Sequence, residues 1–106
     1  MREPGGSAVL FAALGDQTRL RLVGRLCEAG PMSITRLTAG SRVTRQAIRK
    51  HLRVLEQAGL VCSTRRGRES VWHLEQRRLR DARRYLSVIS EQWDDALGRL
   101  RKFVEE

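Results

Sequence analysis

A chain of 106 residues, 41% hydrophobic and with a formal charge of +9, is long enough for one domain with a modest core and too short for several. No run approaches the roughly 18 apolar residues of a membrane span. Two cysteines are too few for a disulfide scaffold and suit a reducing, cytoplasmic setting, either as small buried hydrophobes or as a redox pair of Cys27 and Cys62.

Residues 1–6 include Pro4, Gly5 and Gly6 and are expected to form a flexible lead-in, with 7–106 as a single domain. The apolar run 9–14 is too short for a secretory segment. Ser7 can instead cap a helix over 8–14, with Val9, Leu10, Ala13 and Leu14 as its apolar residues. Gly15 stops that helix and Asp16 can cap a second one to Glu28, with Leu20, Val23, Leu26 and Cys27 as its stripe. "AGPM" at 29–32 reads as a turn. Ser33 then caps a short third helix, with Ile34 and Leu37 inward and closure near Gly40.

Thr44 is the natural N-cap of a fourth helix over 44–57, in which Ala47, Ile48, Leu52 and Leu55 recur at helical spacing. Strand-like segments follow at 60–64 and 70–74, joined by "RRGRE" at 65–69, where Gly67 permits a tight hairpin. A last helix over about 79–104 carries Ala82, Leu86, Ile89, Trp93, Leu97, Leu100 and Val104 along one face. The expected fold is mainly α with a small β-hairpin wing: a winged helix-turn-helix in the order α-α-α-α-β-β-α.

Positive charge is concentrated in the middle of this layout. Between Arg36 and Arg68 nine cations stand against the single acid Glu56, a net of +8, which leaves +1 for the rest of the chain. Such a field attracts a polyanion, with nucleic acid the leading partner and an anionic membrane the second. Arg45, Arg49 and Arg53 recur every fourth residue of the fourth helix, opposite its apolar face, with Gln46 and Lys50 between them. The first turn of a recognition helix enters the major groove most deeply. Arg45, Gln46 and Arg49 are therefore expected at base edges, since arginine can bond guanine and glutamine adenine in bidentate fashion. Thr44 and Lys50 are expected on the backbone, with His51 beside it. Arg65, Arg66 and Arg68 surround Gly67 and suit flanking phosphates.

The run "VTRQAIRKHLRVLEQAGLV" at 43–61, preceded by "GDQTRLRLVGRL" and followed by "RRGRESVWHL", resembles the ArsR/SmtB family of bacterial winged-helix repressors over nearly the whole chain. The resemblance implies a homodimer whose fourth helix docks in the major groove of a double-stranded operator, whose wings lie on flanking backbone, and which represses until an inducer releases it. It also directs attention to metals, which many relatives sense. The thiolate site of such relatives needs cysteines within 32–37, where this chain reads "MSITRL". A site on the last helix needs histidines, but His51 and His73 lie elsewhere, and Asp94 with Asp95 reads as a solvated face. The chain is thus expected to sit in a branch without a recognisable metal site, to need no cofactor, and to have no residues for catalysis, because no nucleophile turn or phosphate-cradling loop is present.

A last helix of this length would overhang a single domain, so Val9 and Leu10 of the first helix and Trp93, Leu97, Leu100 and Val104 of the last are expected to form the dimer interface. Two other readings share the basic face. A winged-helix protein-interaction module would use it for an acidic partner, and a structured-RNA binder would want stacking aromatics, of which the basic window has none.

Overall fold

The computed structural model describes residues 4–105. Its elements are α1 (Pro4–Leu14), α2 (Gln17–Ala29), β1 (Met32–Ser33), α3 (Ile34–Thr38), α4 (Arg45–Gln57), β2 (Val61–Arg66), β3 (Glu69–Leu74) and α5 (Gln76–Glu105). The three strands form one antiparallel sheet in the order β1-β3-β2.

Capping chemistry sets most of the helix starts. Asp16 Oδ2 accepts the backbone N–H of Arg19 at 3.0 Å, Ser33 Oγ that of Arg36 at 3.3 Å, and Thr44 Oγ1 that of Ala47 at 3.1 Å. Each satisfies a donor that the first turn leaves without a partner inside the helix. The first helix begins earlier than its sequence suggests. It takes in 4–6, which the sequence assigns to a flexible lead-in, and proline suits the first turn of a helix because its missing N–H would have had no partner there. Residues 1–3 of the expected lead-in lie outside the described residues.

The core is one cluster at the junction of α1 to α4 and the base of the sheet, with Leu37, Ile48, Leu52, Leu55, Leu60 and Val61 fully enclosed. In α4 the period of Ile48, Leu52 and Leu55 places all three inward, as their spacing predicts, while Ala47 is half-buried. In α2 the buried residues are Leu22, Val23 and Leu26. Leu20 is 56% exposed and Cys27 lies at the surface, which corrects the expected stripe and the expectation of a buried Cys27. The helix is rotated so that Leu22 replaces Leu20, since the docking of α2 on α4 and β3 selects which of two nearby apolar residues faces inward. Leu10 is a second correction. It is 1% exposed and belongs to the core, so it cannot line an interface, whereas Val9 beside it is 53% exposed.

The segment read as a plain turn before α3 also contributes strand β1, pairing Met32 with Trp72 and Ser33 with Val71. Two residues carry no periodicity, and only the neighbouring strand makes them a strand. After α4, the N–H groups of Gly59 and Leu60 donate to the carbonyls of Glu56 and Leu55, both at 2.9 Å, and turn the chain into β2. Gly59 has φ 79°, and a Cβ there would come within 3.2 Å of the Arg78 side chain. The strands of the wing run longer than predicted, taking in Arg65, Arg66 and Glu69 and leaving a two-residue loop of Gly67 and Arg68. Gly67 at φ 61° fits the first position of a type II′ hairpin turn, which side-chain-bearing residues rarely adopt.

The 30 residues of α5 amount to about 45 Å of helix at 1.5 Å per residue. Its start is anchored by a tilted ring pair, Phe11 with Tyr85 at 5.5 Å, and by Ala82 in the core. The remainder projects, which is why the chain measures 67 × 30 × 22 Å with a radius of gyration of 17.8 Å against about 13 Å for a compact domain of this length.

Candidate nucleic-acid interface

Helices α3 and α4 are joined by a turn through Gly40, where Ser41 Oγ accepts the N–H of Val43 at 3.0 Å. Arg25 of α2 holds α3 from behind, its guanidinium donating to the carbonyls of Leu37 at 2.7 Å and Arg36 at 3.0 Å. Those carbonyls end a five-residue helix that has few bonds of its own, so a cation at its C-terminal end satisfies them. With its back supplied by Ile48, Leu52 and Leu55, α4 turns its other face outward.

On that face Arg45, Gln46, Arg49, Lys50 and Arg53 are all exposed and line one open hollow. Thr44, exposed, closes its N-terminal end as the cap. A second groove, of about 430 Å³, runs between α4 and the wing. Arg45, Arg49 and Arg53 form one wall, Arg65 and Arg68 the other, and Trp72 with the hydroxyl residues Ser63 and Ser70 lies between them. The helix and the hairpin, separate elements of the chain, thus bring five guanidinium groups to one concavity. None of the five has a salt-bridge partner within 4.0 Å among the described residues, although Glu56 and Glu69 line the same groove. Five unneutralised cations around a concave surface make a seat for a chain of anions.

Two predicted site residues stand apart. Arg66 is exposed but does not line the groove, because successive side chains of a strand point to opposite faces and Arg65 takes the inner one. His51 is half-buried on the flank of α4, with Nδ1 3.2 Å from Nη1 of Arg19 and 3.8 Å from Oδ2 of Asp16. Its ring is engaged inside the molecule. Asp16 in turn has its carboxyl held below the ordinary aspartate range, first by the Arg19 N–H it accepts, against the opposing effect of desolvation, and further by the nearby His51 and Arg19 charges.

The sequence reading missed Ser63, Ser70 and Trp72 as parts of the groove, and it missed Arg25 as the brace of α3. Strand alternation could have placed Ser63 and Arg65 on one face. No sequence signal places either beside α4. A further exposed basic row, Arg77, Arg80, Arg83 and Arg84, opens α5, hidden in the overall balance by the acids later in that helix. On the outer side of the wing, Cys62 Sγ lies 3.4 Å from Nε2 of His73 and 3.9 Å from Oε2 of Glu75. Burial, with the Glu75 and Glu56 charges, pushes this thiol up from its ordinary pKa. Among the described residues no three His, Cys, Asp or Glu side chains are grouped so as to hold a metal ion, and no helix is long and apolar enough to cross a membrane.

Residues 14–63 match a helix-turn-helix domain family model. The chain is 42% identical to the uncharacterized HTH-type transcriptional regulator YuzN of Bacillus subtilis, over 63% of this chain and 79% of that protein. It is 34% identical to the arsenical resistance operon repressor of the same organism, over 60% of this chain and 61% of that protein. Among solved structures it is similar to an ArsR-like transcriptional regulator from Rhodococcus sp. RHA1, with 35% identity, a TM-score of 0.77, and coverage of 93% of this chain and 92% of that one. With 93% of the chain covered by that structure, the chain belongs to the ArsR family of winged helix-turn-helix transcriptional regulators, a family of DNA-binding regulators and not of enzymes.

Proposed function

We propose that the protein is a homodimeric, operator-binding repressor that places α4 in the major groove and its wing on the flanking backbone. The observation that carries this reading is the groove that joins Arg45, Arg49 and Arg53 of α4 to Arg65 and Arg68 of the wing. A strand of duplex DNA lying in it has phosphates beside Arg53, Arg65 and Arg68, while Arg45 and Arg49, nearer the N-terminal end of α4, face base edges. In this reading Arg45, Gln46 and Arg49 read bases, Thr44 and Lys50 hold phosphates, and Arg65 and Arg68 anchor the flanks. Arg66 contributes charge without a seat in the groove. His51 acts from behind the interface, since its ring is taken up by Arg19.

Dimerisation is supported by α5. Trp93, Leu97, Leu100, Phe103 and Val104 are exposed, Trp93 by 63% and Val104 by 74%. They continue the same helical face that Ala82 and Tyr85 bury or half-bury against α1. A continuous apolar stripe that starts in a core and runs out into solvent is the signature of a covered interface, and Val9 of α1 adds to it. Repression, relieved by an inducer, is favoured over activation by the similarity to an arsenical resistance operon repressor.

The test is a gel shift with duplexes selected from randomised DNA, run at two salt concentrations, alongside sedimentation of the free protein. Preference for one palindromic duplex by a dimer is expected. Equal binding of all duplexes, or capture of acidic protein but not DNA, overturns the proposal.

A further inference from the structure

Arg19, in the first turn of α2, is bonded to three partners. Its backbone N–H donates to Asp16 Oδ2 at 3.0 Å, its Nε–H donates to the carbonyl of Ala13 at 2.6 Å, and its Nη1 lies 3.2 Å from Nδ1 of His51. Ala13 is in the last turn of α1, where carbonyls have no partner inside the helix. His51 is on α4, 32 residues from Arg19 in sequence. A guanidinium has donors only, so in this bond Nδ1 is the acceptor. The planar fork of arginine holds two such bonds in one fixed relation, which an ammonium on a flexible stem does not.

The side-chain partners belong to the two halves that a dimeric DNA reader must keep in register. The helix α1 is pinned to α5 through Phe11 and Tyr85, and α5 carries the exposed stripe. The helix α4 carries the basic face. Its other anchors, Ile48, Leu52 and Leu55, are apolar and set which face of α4 turns inward. Among the described residues the bond between Arg19 and His51 is the only side-chain hydrogen bond that joins α2 to α4, and it adds to the coarse setting given by the buried stripe a restraint with a fixed direction and length. His51 directly follows Arg49 and Lys50 in the helix, so whatever turns His51 turns both.

We infer that Arg19 is a positioning residue for DNA reading: through His51 it locks α4 to the α1–α5 block and so sets the relative placement of the two recognition helices in the dimer. Half-sites of such dimers lie about one helical turn, roughly 34 Å, apart, and a small rotation of each α4 misaligns both sets of base contacts while leaving the general attraction of cations for phosphate intact. The inference rests on the operator-binding reading above, and its test has one arm that needs no DNA.

That arm measures the ring-nitrogen shifts of His51 by nitrogen NMR in the free protein. Nδ1 is expected to appear as a bonded acceptor in the wild type and to lose that character in Arg19→Gln. Unchanged shifts overturn the lock. The second arm uses the selected duplex and a scrambled one of equal length. Arg19→Gln and His51→Phe are each expected to reduce the preference for the selected duplex by about tenfold, the order expected for one hydrogen bond from a charged donor. The double variant should be no worse than either single one, because both remove the same bond. His51→Gln, whose side-chain carbonyl can accept from Arg19, should recover part of the preference. The slope of log affinity against log salt should not change, since every phosphate keeps its cation. Equal weakening on both duplexes, additive effects in the double variant, or a smaller salt slope would each overturn the inference. Arg19→Lys, which keeps the charge and can keep one bond but not both, replaces Arg19→Gln if the latter does not fold, with a smaller drop in preference expected. A wild-type protein that prefers no duplex would overturn the functional proposal instead, and the ring-nitrogen arm would then decide the lock alone.

Discussion

The ring of Phe11 in α1 stands 5.5 Å from that of Tyr85 in α5 at an interplanar angle of 43°, and it marks where the last helix leaves its own domain. Every large apolar side chain of α5 from Trp93 onward is exposed. An apolar stripe of this length has no partner within the described chain, and a second copy offers the same stripe in return.

Charges placed on that stripe should therefore separate the subunits without unfolding them. Trp93→Glu combined with Leu100→Glu is expected to convert a sedimenting dimer to a folded monomer and to lower operator affinity strongly, because each half-site is then bound alone. A wild-type protein that sediments as a stable monomer at micromolar concentration contradicts this. Leu10→Glu, by contrast, should unfold the domain, since that side chain is enclosed in the core.

Gln46→Ala and Arg49→Ala should each relax sequence preference at one base pair per half-site, by about 1–3 kcal/mol, the discrimination a bidentate bond pair supplies. Lys50→Ala should weaken binding evenly. Affinities on a panel of single-base operator variants decide the matter, and uniform weakening for both Gln46→Ala and Arg49→Ala would mean that α4 reads DNA shape and not base edges.

The wing should anchor without reading. Arg65→Ala and Arg68→Ala are expected to weaken all duplexes alike and to lower the salt slope by about one unit for each phosphate left without its arginine. Arg66→Ala should do less, because its side chain does not line the groove. A change of preferred operator in Arg68→Ala, with overall affinity intact, would make the wing a reader.

Zinc, copper, arsenite and EDTA should leave operator binding unchanged, given that among the described residues no three ligating side chains are grouped so as to hold a metal ion. If a soft metal does release DNA, and Cys62→Ser abolishes the effect, the Cys62–His73 pair is the place where it binds. The same pair predicts a difference between the two thiols: Cys62, pushed up in pKa by burial and by Glu75 and Glu56, should react with an alkylating reagent more slowly than the exposed Cys27.

Asp16 predicts an acid limb of stability. Its folded pKa lies below the ordinary aspartate value, chiefly because its carboxylate accepts the Arg19 N–H. A depressed carboxylate pKa contributes stability that is present above the unfolded value and is lost as pH falls through the folded one. Asp16→Asn should remove this part of the pH dependence below about pH 4 while leaving stability at neutral pH only slightly lower, because the asparagine carbonyl can still cap α2. Denaturant midpoints of the two proteins at pH 3 and pH 7 measure it.

Sequence alone determined what depends on near neighbours along the chain. The caps at Asp16, Ser33 and Thr44 act over three residues, the α4 stripe of Ile48, Leu52 and Leu55 over one or two turns, and the hairpin at Gly67 over two residues. Local hydrogen bonding, helical period and turn geometry therefore made these legible, together with the concentration of arginine that faces outward. Tertiary structure decided whatever required choosing between equivalent neighbours or joining distant ones. Leu20 and Leu22 are both leucines on one helix, and only the docking of α2 buries the second. Leu10 and Val9 are adjacent apolar residues, and only the packing of α1 sends one to the core and the other to solvent. Met32 and Ser33 become a strand because Trp72 and Val71 lie beside them, and His51 turns inward because Arg19 reaches across from another helix. The groove itself, with Arg49 on one wall and Arg68 on the other, exists only after the hairpin folds back beside α4, since the attraction of each cation for phosphate is local but their shared concavity is a property of the packed fold.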